Sequence, residues 1–582
     1  MKNRVFLIVL LFVFKAQSQV VSNNTQLQAA ISNAKAGTVI ELTDGTWNSI
    51  QISIKVTATQ SQPCIIKAQN PGSVFFEGRT NISLGGAYVI FEGIVFRNAS
   101  GLISSSGKIE PIIEFRDSSN ASCTNCEVRN VKIDSYNGTV AQQVDTFKWI
   151  VLYGTYNQIS YCSFIGKNGV GSIINDNRDG TNANYSKIHH NYFADRVPVN
   201  NDVNGLNDQD AIRIGSSSTS LSDSYTEVYD NLFNNWSGEV EIISNKSGRN
   251  KYYNNTFREY QGTLTLRHGN NSEVYGNYFF ANNREFSGGI RIIGEGHKIY
   301  NNYIENTNYK KPGGSGSSAT GGISVSNGKP SSALNEYYQV KNVQIVNNTM
   351  VNCDLSMRIG TKINSDLTLA PENLIVANNI MLNSSISALQ ETTKPTGASS
   401  IYQGNITQNG SWDLTNNVNS NKTVSSGLLT SGTDFYRIQS GSPAINTGVG
   451  SYTFLTADIL GGTREVAFDA GAEEFGATGT LKPYKVSDIG TKLGFGALNA
   501  LSVNEYAKVK PLLKIYPVPT MDELTISSSQ NTIKTLEVFD VTGKILLKKT
   551  SDSNIEKINV SSFTKGVYFV KVDGVTSRFI VE

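Results

Sequence analysis

The chain contains 582 residues, of which 17% are charged, and its formal net charge is +2. This length exceeds one ordinary compact domain, although a stacked solenoid can hold several hundred residues on one continuous core. The sequence has no Lys/Arg run or strongly basic segment, which argues against nucleic acid as a partner. Binding to a polyanion would need a local cationic groove, because the global charge is close to zero.

Residues 1–18 have the features of a signal peptide. Two basic residues near the start precede an apolar run from Val5 to Phe14, and small residues follow at Ala16 and Ser18. The run is too short to span a membrane comfortably. No later stretch approaches the ~18 consecutive apolar residues that a transmembrane helix requires. We therefore predict an exported protein with no transmembrane segment, whose mature part begins near Gln19.

The next segment predicts a short helix at the end of a solenoid. Residues 25–35 have apolar residues at helical spacing, and strand-like sequence follows from Gly37. A helix at this position would shield the unpaired strand groups that an open solenoid end exposes.

A phrase with a central Asn then recurs along the chain. Successive copies are separated by 24 residues (231 to 255), 22 residues (255 to 277) and 25 residues (277 to 302). This period, with short β-rich segments, is typical of a parallel β-helix, whose coils must stack to bury their apolar faces. We predict an all-β fold with a right-handed parallel β-helix over residues 19–476. The Asn residues are interpreted as scaffold that bonds along the axis: Asn191, Asn231, Asn255, Asn277, Asn302, Asn348 and Asn379.

The five cysteines are too few and too irregularly spaced for a disulfide-built scaffold. Cys123 and Cys126 form a CxxC pair, but without a second pair this is a weak signal for zinc binding or redox chemistry. We interpret the cysteines as small buried hydrophobic residues.

Four strand-like segments alternate aliphatic residues with an Arg. Successive side chains of a strand point to opposite faces, so the aliphatic residues should point inward and the arginines outward. Arg267 and Arg291 are 24 residues apart and are expected to lie one above the other, at about 4.8 Å per coil. The arginines that would form the local cationic groove are Arg213, Arg267, Arg291 and Arg358.

Two carboxylates are predicted on the same outer face. Val240 and Ile242 are expected to point inward, which leaves Glu239 and Glu241 side by side on the outside. Adjacent carboxylates repel each other, and a calcium ion, with the amide oxygen of Asn207 as a further ligand, would remove that repulsion. An exposed acidic strand with salt bridges to the arginines explains the same spacing equally well.

Lys246 follows these carboxylates, and Arg267 lies 21 residues further on, about one coil above. A uronate bound between them would place its carboxylate on a cation, which acidifies the proton on C5. Lys246 could take that proton if its amine is neutral, and Arg267 or a neighbour would protonate or stabilise the departing O4. The result would be β-elimination, although a lone outward Lys is more often a solvated surface residue.

The C-terminal part divides into a linker and a small module. Residues 477–510 are rich in Gly, Lys and Ser, and residues 511–582 alternate apolar residues with turns, as in a small β-sandwich. The module resembles the C-terminal sorting domain that Bacteroidetes use for type IX secretion. This resemblance implies an address read by the type IX machinery and a protein that is secreted or held on the outer-membrane surface of a Gram-negative bacterium.

The solenoid resembles polysaccharide lyase family 6, which comprises alginate lyases and the dermatan-cleaving chondroitinase B. The motifs around Glu239 and Arg267 are the most specific. The full set of matching motifs lies at 44–47, 75–78, 207–215, 238–247, 266–270 and 288–294. The resemblance implies a pectate-lyase-like solenoid and an acidic polysaccharide as substrate.

The resemblance also implies roles for individual residues. Calcium would be held by Asn207, Glu239 and Glu241. Lys246 would be the Brønsted base and Arg267 the acid. The residues expected to bind substrate are His268, Arg291, Arg213, His297 and Arg358.

One departure from the family pattern affects the metal loop. After the metal-binding Asn the family commonly has Gly-Gly-Glu/Asp, whereas this chain has Asp208, Gln209 and Asp210. Alginate is the expected substrate, because most enzymes of this family act on it. The alternatives are a dermatan sulfate lyase similar to chondroitinase B, a mannuronan C5-epimerase and a glycan-binding β-helix without catalytic activity.

Overall fold

The computed structural model describes residues 18–178, 180–415, 421–491, 513–528, 532–573 and 575–582. The chain forms two compact units, Met1–Gly496 and Ala497–Glu582. The predicted signal peptide lies outside the described residues except for Ser18, and so does the part of the predicted linker from 492 to 510.

The first unit is a parallel β-helix, as predicted. Coils contribute short strands to three long sheets, and each strand pairs in parallel with the strand of the next coil. Sheet 1 consists of Ser18–Val21, Val39–Leu42, Cys64–Ala68, Val89–Glu92, Glu127–Arg129, Gln158–Ser160, Lys187–His189, Glu227–Tyr229, Lys251–Tyr253, Glu273–Tyr275, Lys298–Tyr300, Gln344–Val346, Ile375–Ala377 and Ile401–Gln403. Sheet 2 consists of Gln51–Thr57, Asn81–Ala87, Ile113–Glu114, Cys123–Thr124, Ile150–Leu152, Gly154–Thr155, Ile174–Asp176, Ile212–Gly215, Glu241–Lys246, Gly262–His268, Ser287–Ile292, Ile323–Ser326, Leu355–Thr361, Ser387–Glu391 and Trp412–Asp413. Sheet 3 consists of Gly45–Asn48, Val74–Gly78, Ile94–Ala99, Lys132–Asp134, Ser163–Ile165, Tyr192–Arg196, Leu232–Trp236, Thr256–Arg258, Tyr278–Phe280, Tyr303–Glu305, Thr349–Val351, Ile380–Leu382, Ile406–Gln408 and Lys422–Val424.

Equivalent positions of successive coils stack inside the solenoid and form a continuous apolar core. Phe193, Phe233, Phe257 and Phe279 show this stacking, with successive ring centroids 4.7, 4.6 and 4.5 Å apart. Each coil therefore buries its apolar face against its neighbours, which is the reason a short coil is stable only within the stack.

The repeated Asn residues form the predicted scaffold. Asn231 is fully buried. Its backbone N–H and its side-chain Nδ2 both donate to Oδ1 of Asn255, at 3.1 and 2.9 Å. Asn255 repeats both bonds with Asn277, at 3.0 Å each. One side chain per coil thus satisfies buried backbone groups at the corner before sheet 3.

The helix Asn24–Ser32 closes the first end of the solenoid, as predicted. Asn23 caps it by accepting a hydrogen bond from the backbone N–H of Gln26 at 2.9 Å. Leu27 and Ile31 are buried from its apolar side. No helix among the described residues is long and apolar enough to cross a membrane.

The structure agrees with the interpretation of three of the five cysteines and differs for the other two. Cys64, Cys162 and Cys353 are free and buried, as expected for small hydrophobic residues. Cys123 and Cys126 instead form a disulfide. Asn125 between them has a φ of 55°, so the backbone turns and brings the two thiols together.

Residues 477–491, which belong to the predicted linker, pack along the outside of sheet 3. The backbone N–H of Tyr484 donates to the Thr256 hydroxyl at 2.9 Å. The backbone N–H of Thr491 donates to the Ser163 hydroxyl at 3.0 Å, and Ile489 is fully buried. This part of the chain is therefore ordered on the solenoid.

The second unit consists of two antiparallel sheets around one apolar core, which agrees with the predicted small β-sandwich. One sheet contains Leu513–Tyr516, Glu523–Ser528 and Ile555–Asn559, and the other Thr535–Phe539, Ile545–Thr550, Gly566–Val572 and Val575–Val581. The remaining elements belong to the first unit and are the hairpin of Leu429–Ser431 and Tyr436–Ile438 and the 3-10 turns Val140–Val144, Val199–Asn201, Ser217–Thr219 and Val486–Asp488.

Candidate active site

The outer face of sheet 2 brings together most of the predicted site residues. One position recurs along it from strand to strand and is occupied in turn by Arg213, Ser244, Thr265, Arg291, Ser324 and Arg358. Arg267 is not in this column, because Thr265 is the residue opposite Arg291. The prediction that Arg267 and Arg291 lie directly one above the other is therefore wrong. Arg267 lies two residues further along its strand and on the same face.

The pairing of Gly262–His268 with Ser287–Ile292 has a register shift between Gly262 and Leu264, and the strand Glu241–Lys246 has two further irregularities. The pairing with Gly262–His268 shifts between Glu241 and Ile243, and again between Asn245 and Lys246. The second shift places Lys246 opposite His268. Such bulges re-aim side chains, so a count of residues along the chain no longer gives the residue that lies above.

The first shift also changes which residues point inward. Ile242 and Ile243 are both fully buried, so the simple alternation fails at this point. Val240, predicted to point inward, is only partly buried and lines a groove on the outside. Glu239 precedes the strand, and Glu241 is its first residue.

Glu239 lies in a buried acidic environment. Its carboxylate accepts a hydrogen bond from the backbone N–H of Gln209 at 2.9 Å, and the residue is only 6% exposed. Burial, with the nearby carboxylates of Asp210 and Glu241, raises the pKa of Glu239 to about 8. The positive charge near Glu239 is thus too small to offset its burial and the two neighbouring carboxylates.

Glu241 has cationic neighbours that outweigh its burial, whereas the charge of Arg213 does not outweigh the burial of Glu239. Its carboxylate lies 3.6 Å from Nε of Arg267 and 3.8 Å from a terminal nitrogen of Arg291, and it accepts a hydrogen bond from the Ser244 hydroxyl. Burial opposes ionisation of Glu241, but the charges of Arg267, Lys246 and Arg291 outweigh it and lower its pKa. Glu241 is therefore the anion on which the cationic side chains converge.

Lys246 is half-buried at the end of its strand. Its charge contributes to the lowered pKa values of both Glu241 and His268, so its ammonium lies close to both groups. Within the described parts of the chain, this ammonium has no salt-bridge partner. Lys246 thus places an amine beside Glu241 and His268 on the outer face of sheet 2.

Arg267 is fixed by a segment that the sequence analysis did not identify. Its terminal nitrogens donate to the backbone carbonyls of Glu336 at 2.6 Å and Asn335 at 3.2 Å. The guanidinium lies 4.2 Å from the ring centroid of Tyr337. The Tyr337 hydroxyl accepts a hydrogen bond from Arg291 at 2.9 Å. The available signal was the 46-residue gap between Asn302 and Asn348, which indicates an inserted loop but not where that loop folds.

His268 lies beside Arg267 and Lys246, as predicted for a site residue. It is 3% exposed, and its Nδ1 lies 3.5 Å from a terminal nitrogen of Arg267. Burial and the neighbouring cations lower the pKa of His268 to about 2. The imidazole is therefore neutral and presents a polar edge without adding charge.

His297 is not a substrate-binding residue, so this prediction is wrong. It is fully buried. Its Nδ1 accepts from the backbone N–H of Ser272 at 3.1 Å, and its Nε2 lies 3.1 Å from the carbonyl of Ile293, to which it donates. Both ring nitrogens thus satisfy backbone groups, and burial lowers the pKa of His297 to about 4. His297 is a structural residue of a coil corner.

Arg213 lies on the predicted face, but other protein groups engage its guanidinium. It forms ion pairs with Asp208 at 2.6 Å and with the fully buried Asp210 at 2.5 Å. Asp208 and Gln209 are the residues that depart from the family pattern. Asp208 has a φ of 65° and binds Arg213, while Gln209 binds Glu239, so both replacements organise this loop.

Arg358 is engaged in a similar way on a later coil. It donates to the backbone carbonyls of Ser317 at 2.6 Å and Thr320 at 3.0 Å. These contacts hold the loop of residues 309–320, which forms one wall of the groove. The role of Arg358 in the described structure is therefore to position this wall, and direct binding of substrate by Arg358 or Arg213 would require these bonds to break.

The groove has a volume of about 400 Å³. Polar groups from both walls line it, namely Asn207, Glu239, Arg291, Lys311 and Tyr337. A groove open to solvent and lined by charged and polar groups suits a sugar chain better than an apolar ligand.

The chemistry of the donor groups fits a calcium ion. Asn207 and Glu239 line the same groove and supply the oxygen ligands that calcium prefers. The raised pKa of Glu239 reflects a carboxylate that a bound cation would stabilise in its charged form. No three Asp, Glu, His or Cys side chains of the described residues are grouped as a metal site. The argument that calcium fits this site therefore rests on the oxygen donors and on the charge of Glu239.

Residues 21–441 match the family model described as chondroitinase B. This chain belongs to the chondroitinase B family. Solved structures similar to this chain include an alginate lyase of polysaccharide lyase family 6, so the resemblance of the solenoid is confirmed. Residues 514–582 match the model described as a secretion system C-terminal sorting domain, which identifies the protein as one directed to the cell surface or the exterior.

Two solved structures illustrate the likeness to family 6. The alginate lyase AlyGC is 28% identical, with a TM-score of 0.65, and the match covers 76% of this chain and 60% of AlyGC. A mannuronic-acid-specific family 6 lyase from human gut microbiota is 26% identical, with a TM-score of 0.56, and the match covers 67% of this chain and 86% of that enzyme. The chain thus spans less than two thirds of the length of AlyGC. No curated protein matches the sequence.

Proposed function

We propose that the protein is an alginate lyase that cleaves by β-elimination and leaves an unsaturated uronate at the new chain end. The observation that supports this most directly is the convergence of Arg267 and Arg291 on Glu241 beside the amine of Lys246, which has no salt-bridge partner among the described residues. A glycan-binding protein needs a cationic groove, but it has no need for an amine next to an anion-binding pair. The epimerase alternative shares the removal of the C5 proton and differs in its product.

Charge explains how the groove selects a uronate. Arg267 and Arg291 carry two positive charges, and Glu241 neutralises only one of them. The carboxylate of a sugar unit would therefore enter a region of net positive charge.

Calcium would be held by Asn207, Glu239 and Glu241. When bound, it would neutralise the substrate carboxylate and so make the C5 proton more acidic. The chain's own residues contribute in the same direction, because Arg267 and Arg291 provide fixed donors where negative charge develops.

Lys246 acts as the base in the proposed reaction. Its neutral amine takes the proton from C5, the electrons of the C5–H bond form the C4–C5 double bond, and the C4–O4 bond breaks. Arg267 stabilises the negative charge that develops on O4. His268, which is neutral, contributes a hydrogen-bonding edge near the same atoms.

A dermatan sulfate lyase is the second candidate. The matching family model is that of chondroitinase B. Lys311 also lines the groove, and a cation there suits a sulfate as well as a carboxylate.

For localisation, we propose export by the type IX machinery to the outer-membrane surface of a Gram-negative bacterium, or release from it.

The test is direct. The mature protein would be incubated with polymannuronate, polyguluronate and dermatan sulfate, with calcium or with a chelator, and the ultraviolet absorbance of the unsaturated uronate would be followed. We expect absorbance with an alginate block in the presence of calcium. No absorbance with any polyuronate would refute the lyase, and absorbance with dermatan sulfate alone would favour the second candidate.

A further inference from the structure

A β-bulge on sheet 2 sets the relative position of the proposed base and the arginine that acts at O4. Asn245 is paired with Leu266, and the next residue, Lys246, is paired with His268. Arg267 is therefore the extra residue of the bulge and has no partner on the neighbouring strand. Since a bulge re-aims the side chains beside it, any group that fixes this bulge also fixes Lys246 relative to Arg267.

The side chain of Asn245 is attached to the backbone on both sides of the bulge. The residue is fully buried. Its Nδ2 donates to the backbone carbonyl of Ser247 at 3.0 Å and to the backbone carbonyl of His268 at 2.7 Å. The first bond encloses Lys246 in a small ring, and the second reaches the residue that follows Arg267. One amide group thus joins the backbone beside the base to the backbone beside the arginine.

The oxygen of the same amide is fully used as well. Oδ1 of Asn245 accepts a hydrogen bond from the Tyr252 hydroxyl at 2.6 Å and another from Nδ2 of Asn250 at 2.8 Å. Tyr252 and Asn250 are also fully buried. A carboxamide has two donor hydrogens and an oxygen with two lone pairs, so these contacts use its whole capacity and fix its orientation.

Two glycines bring the neighbouring coils close to this segment. Gly215, on the coil below, is paired with Lys246, and Gly269 lies on the coil above. Both have a φ of 81°, a conformation that favours glycine. A Cβ on Gly215 would lie 2.6 Å from the carbonyl oxygen of Lys246, and one on Gly269 would lie 2.2 Å from that of Ser247. Backbone packing thus confines the bulge along the axis, while the buried amide holds it from inside the coil.

We infer that Asn245 is a positioning residue, oriented by Tyr252, that sets the placement of Lys246 and Arg267 for catalysis, an inference that rests on the proposed lyase function. Asn245 acts through the backbone, because its buried side chain binds the two carbonyls beside these residues. Misplacement of a reacting group by about 1 Å can lower a rate about 10²-fold. The effect of Asn245 should therefore appear in kcat and leave substrate binding nearly unchanged.

The experiment compares Asn245→Ala with Asn255→Ala, a matched control on the coil that carries Arg267. Asn255 is also fully buried, and its side chain also takes part in four hydrogen bonds. Both variants should be less stable than wild type in chemical denaturation. On the polyuronate that wild type cleaves, assayed at low temperature, Asn245→Ala should lower kcat about 10- to 10²-fold and change KM less than about threefold. Asn255→Ala should keep the wild-type kcat.

An unchanged kcat of Asn245→Ala would overturn the inference, whether KM stays the same or rises. Equal losses of kcat in Asn245→Ala and Asn255→Ala would also overturn it, because the loss would then reflect general destabilisation. A crystal structure of Asn245→Ala supplies a readout that is independent of activity. Lys246 or Arg267 should be displaced relative to Glu241, and unchanged positions would contradict the positioning role.

Tyr252→Phe is the second variant and decides the question if Asn245→Ala does not fold, since it removes only one hydroxyl. Its kcat should fall by a smaller factor than that of Asn245→Ala. Tyr260→Phe is its control, because the buried Tyr260 hydroxyl has no hydrogen-bond partner among the described residues. Equal kcat values of the two Phe variants would overturn the inference. Failure of the proposed function is distinct, because wild type would then cleave no polyuronate.

Discussion

The Asn corner inside the solenoid and the outer face of sheet 2 are built on the same coils but follow different rules. At the corner, Asn231, Asn255 and Asn277 repeat the same two hydrogen bonds from coil to coil. On the outer face, the strand Glu241–Lys246 shifts register twice within six residues. The corner satisfies one requirement that every coil shares, whereas the site brings together different groups from several coils. The repeated Asn hydrogen bonds thus stabilise the stack of coils, and the register shifts of the strand Glu241–Lys246 position the site side chains.

Substitution of the proposed base should have the largest effect and should separate the two regions. Lys246→Ala is expected to lower kcat by at least about 10³-fold. Its melting temperature should stay close to that of wild type, because the ammonium forms no salt bridge within the described residues. Absorbance assays and thermal melts measure the two effects. Lys251→Ala, an exposed Lys on sheet 1, is the control. A variant that retains a tenth of the wild-type kcat would contradict the assignment of the base.

Substitution in the Asn corner should have the opposite effect. Asn255→Ala removes side-chain bonds to buried groups of the two neighbouring coils and should lower the free energy of unfolding by about 2–4 kcal/mol. The kcat of the folded protein should not change. Chemical denaturation and assays at low temperature test both points, with the exposed Asn48→Ala as control. A stability loss no larger than that of the control would remove the distinction between the regions.

Substitution of Glu239 should show whether its buried carboxylate destabilises the folded protein when it is charged. Its pKa is raised to about 8 from 4.5, so the folded state binds this proton more tightly than the unfolded state. Stability should therefore fall as pH rises from about 4.5 to about 8, at roughly 1.4 kcal/mol for each unit of pKa difference. In a chelator at pH 8, Glu239→Gln should melt higher than wild type, and calcium should stabilise wild type alone. The exposed Glu285→Gln is the control, and identical melting curves of Glu239→Gln and wild type at pH 8 would argue against this strain.

His268 should produce the smallest effect. Burial and cations lower its pKa to about 2, whereas the unfolded value is 6.5, so the unfolded state binds the proton more tightly. The stability that neutral His268 provides is present above pH 6.5 and is lost as pH falls, by at most about 1.4 kcal/mol per pH unit. His268→Gln should flatten the decline in melting temperature between pH 6.5 and 5. An unchanged slope would mean that His268 is exposed to solvent.

The sequence predicts the regular parts of the molecule well, because their positions obey a period. The solenoid, the Asn corner and the helix Asn24–Ser32 follow from spacing and alternation alone. The site residues follow from motifs, but their geometry does not. The bulge at Ile242 and Ile243 invalidates the simple alternation, and the second shift moves Lys246 opposite His268.

The errors in the site have identifiable physical causes. His268 ends a strand of an arginine-bearing coil and His297 follows another such strand. Both are buried, and His297 differs because both of its ring nitrogens bind backbone groups. Tyr337 reaches the site through an inserted loop, and no periodic pattern predicts where such a loop folds. Contacts between distant segments, rather than local preference, determine this part of the structure.

The segment 477–491 has a mechanical consequence. It runs from Thr256 back to Ser163 along the outside of sheet 3, so Thr491 lies on the flank of the solenoid, many coils before the last one. If the sorting tail is attached to a surface, tension on it would act on this flank, and the load would be shared by the hydrogen bonds of Tyr484 and Thr491.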